Sequence, residues 1–180
     1  YYNESYYPAL GNQRKGHPSI KEESDRLALI KALHEDKIDI IATDHAPHTW
    51  DEKMLNYPEA PAGLPLVQHG LQILMDFYHE GILSLETIVE KTSHNVAKRF
   101  QVKDRGYIRE GYYADLAILD SNKPYQVSEE NILYKCGWSP FLGKTFNSSI
   151  HMTIVNGHIA FQDNQINPDL PFGMQIEFDR

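Results

Sequence analysis

Cysteine is almost absent from this sequence: Cys136 is the only one in 180 residues. A lone thiol excludes an internal disulfide and any metal site built on thiolates alone, and it fits a reducing cytoplasm. Basic charge is also short. Against 25 Asp and Glu stand 17 Lys and Arg, a net charge of −8 with a pI near 5.5. Nucleic acids and anionic membranes select basic patches, so neither is an expected partner. No apolar run approaches the roughly 20 residues that cross a bilayer. The start, from Tyr1 to Tyr7, is polar and aromatic and has no signal-peptide pattern. It also lacks a Met, so Tyr1 is expected not to be the native start. What remains is an ordinary globular composition, 41% hydrophobic and 23% charged, long enough for one domain or one and a half.

The first 21 residues carry Pro8, Gly11, Gly16 and Pro18 and read as an irregular, exposed segment. From 22 to 36, Leu27, Ile30 and Leu33 recur at helical spacing. Residues 38–42, Ile-Asp-Ile-Ile-Ala, form a β-branched run of the kind found in a buried parallel strand. Helix followed by strand suggests α/β packing. A Pro-rich loop, 45–64, comes next, and a loop that long usually lines or covers a site. Within it Asp51, Glu52 and Lys53 read as solvated, with ion pairs worth little. A helix is expected over 65–80, opened by Pro65, striped by Leu71, Leu74, Met75 and Tyr78, and ended by Gly81. Ser84 suits the N-cap of another, with Leu85, Ile88, Val89, Val96, Ala97 and Phe100 on one face. His69, His79 and His94 have no second ligand at i+4 and read as surface or packing residues.

Beyond residue 100 the texture changes to strands. Residues 107–108 and 114–119 are expected to be extended. Residues 150–155 and 158–161, joined by Asn156-Gly157, read as a hairpin. The apolar stretch 134–141 is expected to pack rather than react, and Cys136 to be a buried inert thiol.

The chemistry concentrates at 43–48, Thr-Asp-His-Ala-Pro-His, directly after the expected strand. The carboxyl ends of strands are where α/β folds bind ligands. Asp44 could ligate a metal, act as a general base, or cap a turn. His45 and His48 cannot both chelate beside it without strain, so one of them packs or faces a substrate.

Residues 41–48, with Glu52-Lys53 and Pro61-Ala62-Gly63, resemble the last barrel strand and loop of the dihydroorotase family. That family is a branch of the metal-dependent amidohydrolases. His17-Pro18-Ser19-Ile20-Lys21 resembles the segment before the preceding helix, and 106–116 the small β domain. Cys136 to Phe141 and Val155-Asn156-Gly157 resemble dihydroorotase more than allantoinase or hydantoinase. The resemblance implies an α/β fold: the C-terminal part of a (β/α)₈ TIM barrel over 1–100, then a small β-sandwich-like domain over 101–180, with 121–146 connecting them. It implies a cyclic amidohydrolase that interconverts dihydroorotate and N-carbamoyl-aspartate in pyrimidine biosynthesis, with zinc as cofactor. Asp44 matches the aspartate that binds zinc and shuttles the proton. His48 matches the histidine on the substrate carboxylate, and Ala62 and Gly63 the loop whose backbone bonds the substrate. His17 stands where the family usually has a substrate-binding Asn.

No His-x-His pair occurs in the sequence. Asp44 is the one metal ligand that the resemblance provides, and catalytic zinc needs about three from protein. The expectation is therefore part of an enzyme, inactive alone, located in the cytoplasm, with a homodimer as a further expectation. Another cyclic amidase of allantoinase or hydantoinase type, or a non-catalytic dihydroorotase-like scaffold, stands as the alternative.

Overall fold

A computed structural model describes residues 1–169 and 171–179. Its helices are Tyr7–Leu10 (α1), Glu23–His34 (α2), Trp50–Lys53 (α3), Gly70–His79 (α4), Leu85–Val89 (α5) and Asn95–Phe100 (α6). Its strands are Leu116–Asp120 (β1), Tyr125–Gln126 (β2), Thr145–Phe146 (β3), Ser149–Val155 (β4), His158–Gln162 (β5) and Gln165–Ile166 (β6). The chain divides into two compact units. One comprises Tyr1–Ile38, Ala42–Ile73 and Gln126–Phe146; the other comprises Asp39–Ile41, Leu74–Tyr125 and Asn147–Arg180.

In the first unit, α2 occupies the stretch expected to be helical. Its start is a reciprocal box: the Glu22 side chain takes a backbone N–H of the first turn, while the Asp25 carboxylate takes the Glu22 N–H. The rings of Tyr134, Phe141 and Phe146 lie against His69, and Trp138 is also buried in this unit. The stretch 134–141 does pack: Trp138, Ser139, Pro140 and Phe141 are all buried, and Cys136 is half-buried. Arg14 lies buried over the Tyr2 ring, 3.9 Å from its centroid, and donates to the Pro140 carbonyl.

In the second unit, β1, β4, β5 and β6 form one antiparallel sheet in that order. The hairpin forms where expected. Asn156 and Gly157 both take positive φ, 50° and 84°, as a two-residue turn between twisted strands requires. Ser84 accepts the Thr87 N–H and caps α5. No helix among the described residues is long and apolar enough to cross a membrane.

Several expectations fail. Residues 38–42 form no strand ladder, because a parallel strand needs neighbours on its edges. Parallel pairing is reduced there to a single bridge between His45 and Leu64. The helix expected over 65–80 begins only at Gly70. The N–H groups of Leu66 and Val67 go instead to the His45 ring, and residues 67–69 form a turn. Over 85–100 a π-turn, Glu90–His94, interrupts the helix. It rotates α6 relative to α5, so Ile88 and Ala97 are buried while Leu85, Val89 and Phe100 stay exposed. Residues 107–108 form no strand, lying between the positive-φ glycines 106 and 111. Tyr107 stacks on His94 instead, at 4.2 Å. Leu170 and Arg180, within the expected β domain, lie outside the described residues.

Candidate active site around Asp44

The expected site residues lie within the first unit. Asp44 is exposed and takes φ 48°, a left-handed conformation that Asp tolerates better than most side chains. This twist turns the chain out of the run 38–42. His45 pairs with Leu64, and the Ala46 N–H donates to the Leu64 carbonyl at 3.1 Å. Residues 62–64 thus run directly alongside the Asp44 turn.

That approach demands a glycine at 63. Gly63 has φ 138°, and a Cβ there would lie 2.4 Å from the Ala46 carbonyl oxygen and 2.9 Å from the Ala46 Cβ. Gly70 is similar: a Cβ would meet the Thr43 methyl at 2.6 Å. The two glycines let backbone close on the turn from two directions.

The two histidines of the turn take different roles. His45 Nδ1 accepts the Leu66 and Val67 N–H groups at 3.0 and 3.3 Å, so the ring proton is on Nε2. Its ring stacks on Tyr134 at 5.4 Å. His45 therefore holds the chain after the loop. His48 Nε2 lies 3.1 Å from the Ala62 carbonyl, and since a carbonyl only accepts, Nε2 carries a proton. Its Nδ1 is 3.8 Å from Glu52 Oε2. The Trp138 indole N–H donates to the His48 carbonyl at 2.7 Å and fixes its backbone.

His48, Ala62 and Gly63 are thus brought together. The Gly63 N–H already donates to the Lys15 carbonyl at 2.9 Å, so the Ala62 N–H is the amide of this pair that remains for a ligand. His17 is exposed, two residues along from Lys15. Its neighbour Gly16 lies against Leu64, with a built Cβ 3.5 Å from the Leu64 Cδ1.

Sequence reasoning missed α3 and Lys53. Thr49 and Glu52 close a capping box at the start of α3: the Thr49 hydroxyl accepts the Glu52 N–H and the Glu52 carboxylate accepts the Thr49 N–H. The Thr49 N–H, and after it the Thr49 hydroxyl donating to the same carboxylate at 3.0 Å, hold the Glu52 carboxyl below the usual range. The signal was present as Thr49-x-x-Glu52. Lys53, expected to be solvated, has no exposed surface. Its ammonium donates to the carbonyls of Pro61, Gly63 and Lys15 at 2.9, 3.0 and 3.2 Å. Burial, with the Lys15 ammonium adding to it, lowers its pKa to about 8.

Among the described residues no three His, Cys, Asp or Glu side chains converge as a metal site. Asp44 offers one carboxylate where catalytic zinc takes about three protein ligands, so the residues present do not by themselves fit zinc. A surface hollow of about 500 Å³, lined by Leu85, Glu86, Val89, Glu90, His94 and Lys98, contains none of the residues above.

Dihydroorotase from Clostridium acetobutylicum is 40% identical over 154 residues, which is 85% of this chain and 36% of that protein. Dihydroorotase from Pyrococcus abyssi is 38% identical over 152 residues, 84% of this chain and 36% of that protein. The chain thus spans about a third of the length of these relatives. Among solved structures, L-hydantoinase (dihydropyrimidinase) from Arthrobacter aurescens superposes with a TM-score of 0.87 at 24% identity, over 97% of this chain and 40% of that one. D-hydantoinase (dihydropyrimidinase) from Thermus sp. gives 0.81 at 22%, over 92% and 38%. Residues 12–160 match the family model described as the amidohydrolase family, and the chain belongs to that family.

Proposed function

We propose that this chain supplies the Asp44 edge of a dihydroorotase, and that the longer protein carrying it opens and closes the dihydroorotate ring. The observation that carries this reading is the identity of 40% and 38%, across most of the chain, to proteins named dihydroorotase. The solved hydantoinases are too distant in sequence to bear on the substrate. The remaining parts of the proposal are a TIM-barrel segment over 1–100, a β domain over 101–180, a cytoplasmic location and a homodimer.

Asp44 is the general base and acid. Its exposed carboxylate takes a proton from the water that attacks the ring amide carbonyl. It then returns that proton to the departing amide nitrogen, giving N-carbamoyl-aspartate. Ring closure reverses the two transfers. The Ala62 N–H binds the substrate, and His48, whose Nε2 donates to the Ala62 carbonyl, faces the substrate carboxylate. His17 reaches the same carboxylate as a donor. In this reading Asp44 is also one ligand of a zinc ion whose other ligands lie outside these 180 residues.

The test is turnover by the longer protein on dihydroorotate, hydantoin and allantoin. Dihydroorotate is expected to be the preferred substrate. Asp44→Asn is expected to lower kcat by roughly 100- to 10,000-fold, the usual worth of a placed acid–base group. The isolated 180 residues are expected to be inactive. Preference for hydantoin or allantoin would overturn the substrate, an unaffected Asp44→Asn variant the mechanism, and turnover by the isolated chain the partial-site reading.

A further inference from the structure

Lysine is among the residue types least often fully buried, because an ammonium loses its hydration on entering the interior. Lys53 is fully buried, yet it is also fully used: three N–H donors meet three carbonyl acceptors at 2.9 to 3.2 Å. Two acceptors, on Pro61 and Gly63, flank Ala62; the third is on Lys15. Lys15 ties the same loop from its other end, donating through Nζ to the carbonyls of Tyr57 and Ala60 at 2.5 Å each. The Gly63 N–H closes the set on the Lys15 carbonyl at 2.9 Å. Two ammonium groups and one amide therefore hold residues 57–63 against residue 15.

We infer that Lys53 is a positioning residue that sets the orientation of the Ala62 N–H, the loop donor beside Asp44 and His48. The reason is peptide geometry. A trans peptide is planar, and its C=O and N–H point in opposite directions. Drawing the Pro61 carbonyl onto Lys53 turns the Ala62 N–H away from Lys53. Drawing the Gly63 carbonyl inward keeps that glycine against Ala46, where no side chain fits. With both flanking planes fixed, the Ala62 carbonyl stays on His48 Nε2 at 3.1 Å. Lys53 also sits at the end of α3, five residues after His48, so the clamp and the candidate substrate histidine are near neighbours along the chain. The part that concerns substrate rests on the dihydroorotase reading; the part that concerns the loop does not.

The experiment compares Lys53→Met, Lys15→Met and the exposed-surface control Lys31→Met in the longer protein, by two readouts. Amide exchange over residues 57–64 is expected to accelerate about tenfold in Lys53→Met, the loss of one to two net hydrogen bonds. Exchange over α2 should stay as in the wild type. With dihydroorotate as substrate, KM is expected to rise about tenfold while kcat changes far less, because a ground-state binding donor is disordered rather than an acid–base group removed. Lys15→Met, which leaves the Lys53 contacts in place, should accelerate exchange at 57–60 most; it carries the test if Lys53→Met does not fold. Lys31→Met should change neither readout. Unchanged exchange over 57–64 in the clamp variants would overturn the inference, as would a kcat loss with KM unmoved. If the protein turns over no dihydroorotate at all, the functional reading fails and the exchange result still decides the clamp.

Discussion

His69 has no exposed surface, and burial brings its imidazole from the ordinary 6.5 down to about 4. It lies between the rings of Phe146 and Phe141, at 5.7 and 5.6 Å, with Tyr134 Oη 3.3 Å from Nδ1. The neutral ring is the one the fold accommodates. Above pH 6.5 folded and unfolded states are both neutral there, and this group's stabilisation is complete. As pH falls from 6.5 towards 4 the unfolded chain takes up a proton that the folded one refuses, so stability declines. At about 1.4 kcal/mol per unit of pKa difference the whole span approaches roughly 3 kcal/mol. Denaturant unfolding followed from pH 7 to pH 4 should show this fall, and His69→Gln should flatten it. An unchanged slope in the variant would place the acid sensitivity elsewhere. The sequence allowed His69 a packing role but not its depth, because the rings that bury it come from residues 141 and 146, more than seventy positions away.

At the scale of elements, short-range rules were readable and long-range ones were not. Residues 23–34 carry helical spacing, and Asn156-Gly157 dictates its own turn, so α2 and the β4–β5 hairpin stand where the sequence puts them. Turn geometry at Asp44 was also local, and the Thr49–Glu52 box could have been read from its spacing. The burial of Lys53 was different: its acceptors lie at 15, 61 and 63, and no spacing rule links them. The late start of α4 likewise depends on His45, more than twenty residues upstream. The helix α3 shows how local and distant terms combine. Four residues are far too few for an independent helix, so α3 depends on its cap at one end and on Lys53 at the other. Thr49→Ala is expected to cost about 1 kcal/mol locally, which corresponds to roughly fivefold faster amide exchange over 50–53. The global denaturation midpoint should move much less. Equal acceleration across the first unit would mean that α3 opens only when the whole unit does.

At the scale of the whole molecule, the informative stretch is 38–42. Its β-branched residues favour extended backbone, yet no strand ladder forms there. Backbone N–H and C=O groups in an apolar extended run need partners. Among the described residues the partners are the Lys91 carbonyl for the Ile41 N–H at 3.0 Å, the Asn95 side-chain amide for the Asp39 carbonyl at 2.9 Å, and the His45–Leu64 bridge just beyond the run. Relatives with 34–40% identity are well over twice this length, since the 152–154 matched residues make up only 35–36% of them. In a parallel sheet the missing neighbours would come from such additional sequence, because parallel strands are joined by long crossovers rather than tight turns. Amide exchange separates this account from one in which 38–42 is simply a connecting loop. In the isolated 180 residues, amides of 38–40 and 42–43 should exchange orders of magnitude faster than those of β4, which are held by ladders on both sides. In the longer protein they should slow towards the β4 rate. If they stay fast there, no strand neighbours join the run. The left-handed turn at Asp44 would then be held only by the Gly63 and Gly70 contacts and the Leu64 bonds, and the carboxylate would lack the rigid strand that acid–base catalysis requires of its support.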